Sequence, residues 1–314
     1  MENLKPTMGE LFEPAIEFPD IDMQQRFHRL VGLDEIKSRL TKILGLLVNE
    51  KGIHDWADKF HPGAKVPLSL MTSRPPLVIL AGDVGAGKSE LAQTVGDAVA
   101  RQEDVAITLL PLSLSTRGQG MVGQMTRLVT AAFDHTIEQA KKVQAHGKGK
   151  ARGAVILLVD EADALAQSRE GGQMHHEDKA GVNAFIRGID RLGNGRLPAA
   201  VIMCTNRPDA LDPAIRRRAA DIFIFRRPNA EQREAVLAKP LIELGLTQKE
   251  IEAIIDLTGT STKNSPGFTF SDLTQRLLPT ILLDAYPSKA VNGKRAIEIT
   301  KSIQPTPPFK EQTI

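Results

Sequence analysis

The feature that most constrains the fold of this chain is a glycine-rich turn that links an apolar run to a helix-forming segment. The apolar run "PPLVIL" covers residues 75–80, the turn "GDVGAGK" covers 82–88, and a helical pattern continues to residue 100. A short apolar run of this kind is typical of a buried strand, and a helix directly after it favours a crossover to a parallel neighbour. The stretch therefore predicts one strand–helix unit of an α/β sheet.

The same alternation of apolar runs and helical segments continues as far as residue 225. Five strands separated by helices predict the α/β fold class, with a mostly parallel five-stranded sheet and helices on both faces. Beyond residue 228 the strand signal ends, and three segments with helical periodicity predict a small helical lid domain. The predicted strands are 77–80, 105–112, 154–159, 199–205 and 221–225, and the predicted helices between them are 88–101, 126–144 and 178–192.

These patterns divide the chain into four predicted parts. Residues 1–25 contain three prolines and little periodicity, which predicts a flexible N-terminal arm. Residues 26–227 form the predicted large α/β nucleotide-binding domain, in which 61–76 is expected to be a proline-rich loop. Residues 228–302 form the predicted helical lid, and the proline-containing tail 303–314 is expected to be disordered.

Composition excludes several classes of partner. Hydrophobic residues make up 41% and charged residues 25% of the chain, as in ordinary globular proteins with a buried core. Aromatic residues make up only 4% and the net charge is +2, so composition and charge argue against nucleic acid and anionic membranes as partners. The single cysteine, Cys204, cannot form an internal disulfide, and no apolar run reaches the length of a membrane span. We therefore expect a cytoplasmic protein without a membrane anchor.

The glycine-rich turn fits the pattern G-x-x-x-x-G-K-[ST] without a mismatch. Its position between a strand and a helix is the context in which this pattern binds phosphate groups. Backbone N–H groups of such a loop converge on an anion, and the N-terminus of the following helix favours negative charge. Lys88 would reach the β- and γ-phosphates of ATP, and the Ser89 hydroxyl would bind Mg²⁺. The full set of predicted phosphate-binding residues is Gly82, Asp83, Val84, Gly85, Ala86, Gly87, Lys88 and Ser89.

Polar side chains follow two further predicted strands. Asp160 and Glu161 come directly after "AVILLV", and Asn206 follows the strand that contains Cys204. In open α/β sheets, ligands bind beyond the carboxyl ends of the strands. We expect Asp160 to hold the magnesium ion, Glu161 to act as the general base on the attacking water, and Asn206 to orient that water. The run 216–218 then offers three arginines that could stabilise charge in the transition state.

With these residues in place, the chain resembles the AAA+ ATPases, and within them the AAA subgroup that reads "NRPDALDPA" after its sensor strand. The resemblance covers residues 26–302. It implies that Gly32 and Leu33, in "VGLDEIK", pack against adenine. It also implies a ring of six copies, in which Arg217 of one copy reaches the site of the next as an arginine finger. Arg218 would substitute for the second finger arginine of other members. The family's second-sensor arginine would fall near Ser271 and is missing.

The ring of these relatives grips its substrate with loops that line a central pore. By resemblance, the first pore loop is Met121, Val122 and Gly123, with Met121 in place of the usual aromatic residue. A methionine side chain is adaptable enough to keep a weaker gripping role. The second pore loop would fall within 168–179, where adjacent histidines are expected to be surface residues rather than metal ligands.

Within the family, the segments 181–192 and 267–279 resemble the compact bacterial members of the pachytene-checkpoint group. These relatives remodel HORMA-domain proteins and are associated with CBASS anti-phage operons, in which the substrate partners a nucleotidyltransferase. The resemblance implies a remodeller that opens a HORMA-domain protein and so disassembles a signalling complex. Alternatives at this stage are a Rubisco-activase-like or protease-linked remodeller, a DNA motor, and a nucleotide-dependent switch with little turnover.

Overall fold

The fold is described from a computed structural model, over residues 7–113, 124–144, 151–163, 176–260 and 266–308. The chain divides into two compact units. The first consists of Met1–His28, Glu35–Ala81 and Ser89–Ile224, and the second of Arg29–Asp34, Gly82–Lys88 and Phe225–Ile314. Each unit is described by itself below.

The first unit is built around one sheet. In the part of the chain that the structure describes, the sheet has six strands in the order β1-β3-β4-β5-β2-β6. Strands β3, β4, β5 and β2 pair in parallel, which confirms the predicted mostly parallel α/β architecture. The strands are β1 (Ile16–Phe18), β2 (Leu77–Gly82), β3 (Ala106–Pro111), β4 (Gly153–Val159), β5 (Ala199–Thr205) and β6 (Ala219–Phe225).

The central strands and their covering helices form the core of this unit. Every residue of β4 and β5 is buried, as expected for strands that helices cover on both faces. Phe133 and Phe185, on two adjacent helices, are almost fully buried and contact edge to face. The helices are α1 (Met8–Leu11), α2 (Ile21–Arg29), α3 (Asp34–Val48), α4 (Glu50–Phe60), α5 (Lys65–Thr72), α6 (Lys88–Glu103), α7 (Gln124–Val143), α8 (His176–Asn194) and α9 (Pro213–Arg216).

The N-terminal segment is part of this unit, so the expectation of a flexible arm over 1–25 is wrong for the residues described. Residues 16–18 form β1 and pair antiparallel with 107–109 of β3, which raises the strand count from the predicted five to six. Phe18 is 3% exposed, and its ring would collide with a Cβ atom at Gly96 of α6. The segment is ordered because it supplies a strand to a sheet edge and an aromatic ring to the core, which proline counting does not reveal.

The proline-rich stretch 61–76 is a second difference. It contains α5, whereas the sequence analysis expected a loop. Pro67 lies in the first turn of this helix, where no intrahelical N–H donor is needed, so the proline is compatible with the helix.

The second unit is mainly helical. Its helices are α10 (Ala230–Glu243), α11 (Gln248–Leu257), α12 (Leu278–Ala285) and α13 (Gly293–Ser302), with a π-helical turn over Asp272–Leu277 before α12. Capping boxes at Asn229 and Thr247 begin α10 and α11. Helix α13 was not expected, and it closes the core through Ala296 and Ile299. No described helix is both long and apolar enough to cross a membrane.

The beginning of the C-terminal tail is also held in this unit. The expectation of disorder over 303–314 is wrong for the described residues 303–308. The Thr306 N–H and hydroxyl donate to the buried carboxylate of Asp272, at 3.0 and 2.7 Å, and its carbonyl oxygen accepts from Arg227 at 2.7 Å. Residues 303–308 have no regular secondary structure, but side-chain partners satisfy both backbone groups of Thr306.

Candidate nucleotide-binding site

The glycine-rich loop follows β2 and has backbone angles that only glycine adopts easily. Gly82, Gly85 and Gly87 have φ values of 139°, 71° and 93°. A Cβ atom at Gly82 would lie 2.0 Å from the Phe225 carbonyl oxygen, so no larger residue fits there without a shift of backbone. These angles turn the chain sharply between strand and helix, as a loop that cradles phosphate requires.

Lys88 is the first residue of α6 and is 5% exposed. Its ammonium group donates to the carbonyl oxygens of Gly82 and Asp83, at 3.0 and 2.7 Å, so it lies within the curve of the loop. Ser89 follows in the first turn of α6 and is exposed. The N-terminal turn of a helix favours an anion, because its N–H groups have no intrahelical acceptors.

The segment predicted to pack against adenine lies in the same compact unit as this loop. Gly32 has a φ of 75°, and its carbonyl oxygen accepts from Gln232 Nε2 at 2.6 Å. Leu33 is 6% exposed, and a Cβ atom at Gly87 would lie 3.4 Å from its Cδ1 atom. The fold therefore places Leu33 beside the glycine-rich loop, and Gly32 precedes it in the chain.

In the first unit, β4 and β5 end side by side. Val159 pairs with Met203, and the Ala162 N–H donates to the Cys204 carbonyl oxygen at 2.9 Å. Asp160 caps this turn by accepting from the Glu161 N–H at 2.8 Å. Glu161 itself has a φ of 49° and an exposed side chain. A non-glycine residue in the left-handed region is strained, and such strain concentrates at functional sites.

Asp163 is a further residue at these strand ends, and the motifs above do not include it. The Asp163 carboxylate accepts from the Asn206 N–H at 2.8 Å, from the Asn206 side-chain amide at 3.3 Å, and from the Thr205 hydroxyl at 2.7 Å. Because Asn206 Nδ2 is used by Asp163, its Oδ1 is the end of the amide that remains to accept from a water molecule. The fourth position of "DEAD" is the sequence signal that could have identified Asp163.

The arginine run separates into residues with different partners. The Arg218 guanidinium forms a two-pronged ion pair with Asp190, at 2.6 and 3.0 Å, and this hydrogen-bonded carboxylate raises the pKa of Arg218. Arg216 donates to the Pro208 carbonyl oxygen at 3.1 Å. Arg217 is exposed, and its guanidinium has no hydrogen bond or ion pair with the residues that the structure describes. Arg217 is therefore the residue of the run that is most available to another molecule.

The lid segment before the π-helical turn contacts the glycine-rich loop within the second unit. The Ser271 N–H donates to the Gly85 carbonyl oxygen at 3.0 Å, and a Cβ atom at Gly85 would meet Thr269 and Ser271 at 2.8 and 2.9 Å. Arg276 does not take the place of the missing sensor arginine, because its guanidinium donates to Asp272 at 2.7 Å. A backbone hydrogen bond thus connects this segment to the glycine-rich loop.

The predicted pore loop, Met121, Val122 and Gly123, lies outside the described residues. Residues 168–175 of the predicted second pore loop also lie outside the described residues, and so do the side chains of residues 176–179.

In the second unit, the residues of the loop fit the phosphate groups of a nucleoside triphosphate. A Cβ atom would collide with the Phe225 backbone at Gly82 and with Thr269 and Ser271 at Gly85, so this path of the loop requires glycine, and Lys88 supplies a buried positive charge. In the first unit, Ser89 and Asp160 carry side-chain oxygen atoms, which is the kind of ligand that Mg²⁺ prefers, and Mg²⁺ commonly takes only one or two protein ligands.

Comparisons with known proteins agree with this chemistry. Residues 78–227 match the ATPase family associated with various cellular activities (AAA). CD-NTase-associated protein 6 of Escherichia coli strain MS 115-1 is 63% identical over 307 residues, which cover 98% of both proteins. In the solved E. coli MS115-1 HORMA:CdnC:Trip13 complex, one chain superposes with a TM-score of 0.91 at 62% identity, covering 98% of this chain and 100% of that one. Trip13 from Rhizobiales superposes with a TM-score of 0.74 at 53% identity, covering 95% and 100%. The chain therefore belongs to the AAA ATPase family and, within it, to the Trip13-like group that contains CD-NTase-associated protein 6.

Proposed function

We propose that this chain hydrolyses ATP as a ring of six copies and uses the energy to open the fold of a HORMA-domain protein. The observation that carries the proposal is the 62% identity, over nearly the whole chain, to a solved Trip13 chain whose complex contains HORMA and CdnC. The intact phosphate loop and the acidic strand end are consistent with turnover rather than with a passive nucleotide switch.

In this proposal each residue of the site has one role. Backbone N–H groups of the loop from Gly82 to Lys88 and the Lys88 ammonium group hold the phosphates, and Ser89 and Asp160 hold Mg²⁺. When bound, the ion would neutralise charge on the phosphate oxygens. Glu161 accepts a proton from the attacking water.

Two further residues complete the reaction. Asn206 orients the attacking water through its Oδ1 atom, and Asp163 is the positioning residue that holds the Asn206 amide. Arg217 enters the site of the neighbouring copy and stabilises the transferred charge. This assignment favours Arg217 over Arg218, because Asp190 already binds Arg218 within its own chain.

The substrate follows from the relatives. We infer a HORMA-domain protein as the client and a CdnC-like nucleotidyltransferase as the enzyme whose complex is disassembled, within a cytoplasmic CBASS anti-phage response. The work required is modest, because native domains are stable by only about 5–15 kcal/mol and local elements open for less. Met121, Val122 and Gly123 are the residues proposed to grip the client in the pore.

The test uses the purified chain with a HORMA:CdnC complex and ATP. Phosphate release should rise when the complex is added, and size-exclusion chromatography should show HORMA and CdnC separating. Glu161→Gln should bind ATP and retain the client without separating the complex. The remodelling proposal is wrong if phosphate is released but HORMA and CdnC stay together, and the ATPase proposal is wrong if no phosphate is released under any of these conditions.

A further inference from the structure

The glycine-rich loop contains a carboxylate, which is an unfavourable neighbour for a polyphosphate. The Asp83 side chain is 19% exposed, and its Oδ1 atom accepts from the Val84 N–H of the same loop at 3.1 Å. Loop N–H groups are the donors that phosphate oxygens use. Asp83 therefore both carries a charge that repels phosphate and occupies a donor that phosphate needs.

Arg227 pairs with this carboxylate. Its side chain is 11% exposed, and its Nε atom donates to Asp83 Oδ2 at 2.6 Å. An arginine that is largely buried against a carboxylate neutralises its charge and fixes its direction, since a short charge-assisted hydrogen bond has strict geometry.

The Arg227 guanidinium is itself fixed by two backbone acceptors. Nη1 donates to the Gly267 carbonyl oxygen at 2.5 Å, and Nη2 donates to the Thr306 carbonyl oxygen at 2.7 Å. Three acceptors on three nitrogens leave the side chain little rotational freedom. The positive charge is therefore already in place before a nucleotide arrives, and nucleotide binding does not have to order it.

We propose that Arg227 sets the affinity of the site for phosphate-bearing nucleotides by neutralising Asp83 and holding its carboxylate away from the phosphates. The inference depends on the nucleotide site proposed above. Without Arg227, the Asp83 charge would repel the polyphosphate, and the Oδ2 atom that Arg227 now binds would be free to compete for further loop N–H groups. Removal of the Asp83 charge should then make Arg227 unnecessary for affinity.

The experiment measures equilibrium binding of fluorescent ADP and ATPγS, with adenosine as an uncharged competitor. Arg227→Ala should raise the Kd of both charged probes by at least about tenfold, and should leave adenosine affinity unchanged. Asp83→Ala keeps the loop backbone and removes the carboxylate, so this variant alone should bind the probes more tightly than the wild type. The double variant Asp83→Ala/Arg227→Ala should return to within about threefold of the wild type, since the repulsion is gone.

Salt provides a second readout. Exposed charge repulsion is screened over about 10 Å at 0.1 M salt and about 3 Å at 1 M. The ratio of Kd between Arg227→Ala and the wild type should therefore fall as salt rises. A defect caused only by loss of packing would keep the same ratio.

Arg276→Ala is the matched control. Arg276 lies in the same unit and binds Asp272 and Thr306, but none of its hydrogen bonds among the described residues reaches the loop. Its removal should leave nucleotide affinity unchanged, and melting temperatures of all variants report whether the fold survives. An effect of Arg276→Ala as large as that of Arg227→Ala would overturn the inference.

The outcomes separate this inference from the proposed function. If the wild type binds neither probe, the nucleotide site itself fails. If the wild type binds and Arg227→Ala binds equally well, only the inference fails. If Arg227→Ala is weak and Asp83→Ala does not rescue it, Arg227 acts through Gly267 and Thr306 rather than through Asp83, and the inference is overturned.

Discussion

At the scale of single residues, substitutions of Glu161 should change stability and activity independently, because the backbone of this residue is strained. Its φ of 49° is a conformation that glycine adopts at little cost. We predict that Glu161→Gly raises the free energy of unfolding by up to about 1 kcal/mol while abolishing hydrolysis. Glu161→Gln should abolish hydrolysis equally and leave stability unchanged. Urea unfolding and phosphate release on the two variants check the prediction, and retained hydrolysis in either would remove Glu161 from the role of general base.

Asp163 offers a second test at this scale. We predict that Asp163→Asn lowers kcat at least about tenfold with little change in the KM for ATP, because an amide at 163 no longer favours the orientation of the Asn206 amide. In an Asn206→Ala background the same substitution should cost nothing further. Steady-state kinetics on the four proteins form a double-mutant cycle. Equal losses in both backgrounds would show that Asp163 acts independently of Asn206.

At the scale of elements, a buried side chain anchors each of the described segments near the two chain ends. Phe18 of β1 is buried in the core, and the Asp272 carboxylate accepts a hydrogen bond from the Thr306 N–H of the C-terminal segment. Burial works to raise the pKa of Asp272, but hydrogen bonds from Thr269, Thr306 and Arg276 outweigh it and lower the pKa to about 2.

This depressed pKa gives a pH-dependent prediction. A carboxyl group with a lowered folded-state pKa stabilises the fold above its unfolded pKa, near 3.8, and that stability is lost as pH falls toward 2. Asp272→Asn should therefore lower the free energy of unfolding at pH 7, and its difference from the wild type should shrink between about pH 4 and pH 2. Urea unfolding across this range is the measurement. A difference that stays constant with pH would mean that the Asp272 charge contributes nothing.

At the scale of the whole molecule, the arginine run argues for a site that a single copy cannot complete. Arg217 is exposed and Arg218 is bound to Asp190. We predict that Arg217→Ala lowers kcat by about 10³-fold or more, as for arginine fingers elsewhere. Arg218→Ala should lower the melting temperature and reduce kcat far less.

Mixing of variants tests whether Arg217 acts between copies. Lys88→Ala keeps its arginine but loses its phosphate contact, and Arg217→Ala keeps its phosphate loop. A mixture of the two should recover part of the ATPase activity that neither has alone, at interfaces where an intact loop meets an intact arginine. Absence of recovery, with mixed rings confirmed by native mass spectrometry, would contradict a finger supplied in trans.

The sequence by itself determined the alternating core and the phosphate loop. Buried parallel strands are continuous apolar runs, and the loop needs glycines, a lysine and a serine at fixed spacing, so both are local patterns. Strand β5 was predicted with its observed bounds, and the other central strands within two residues at each end. The family followed from the same local motifs together with the arginine run.

Only the tertiary structure decided which residues pair across long separations. Four such contacts join residues at least 34 positions apart. They are the pairing of β1 with β3 and the hydrogen bonds of Thr306 with Asp272, of Asn206 with Asp163 and of Arg227 with Asp83. No periodicity in the chain encodes such pairs, because each depends on the path of the backbone between them. For the same reason, the sequence assigned roles to Arg217 and Arg218 only by resemblance, and the fold showed that Asp190 binds Arg218 whereas Arg217 is exposed.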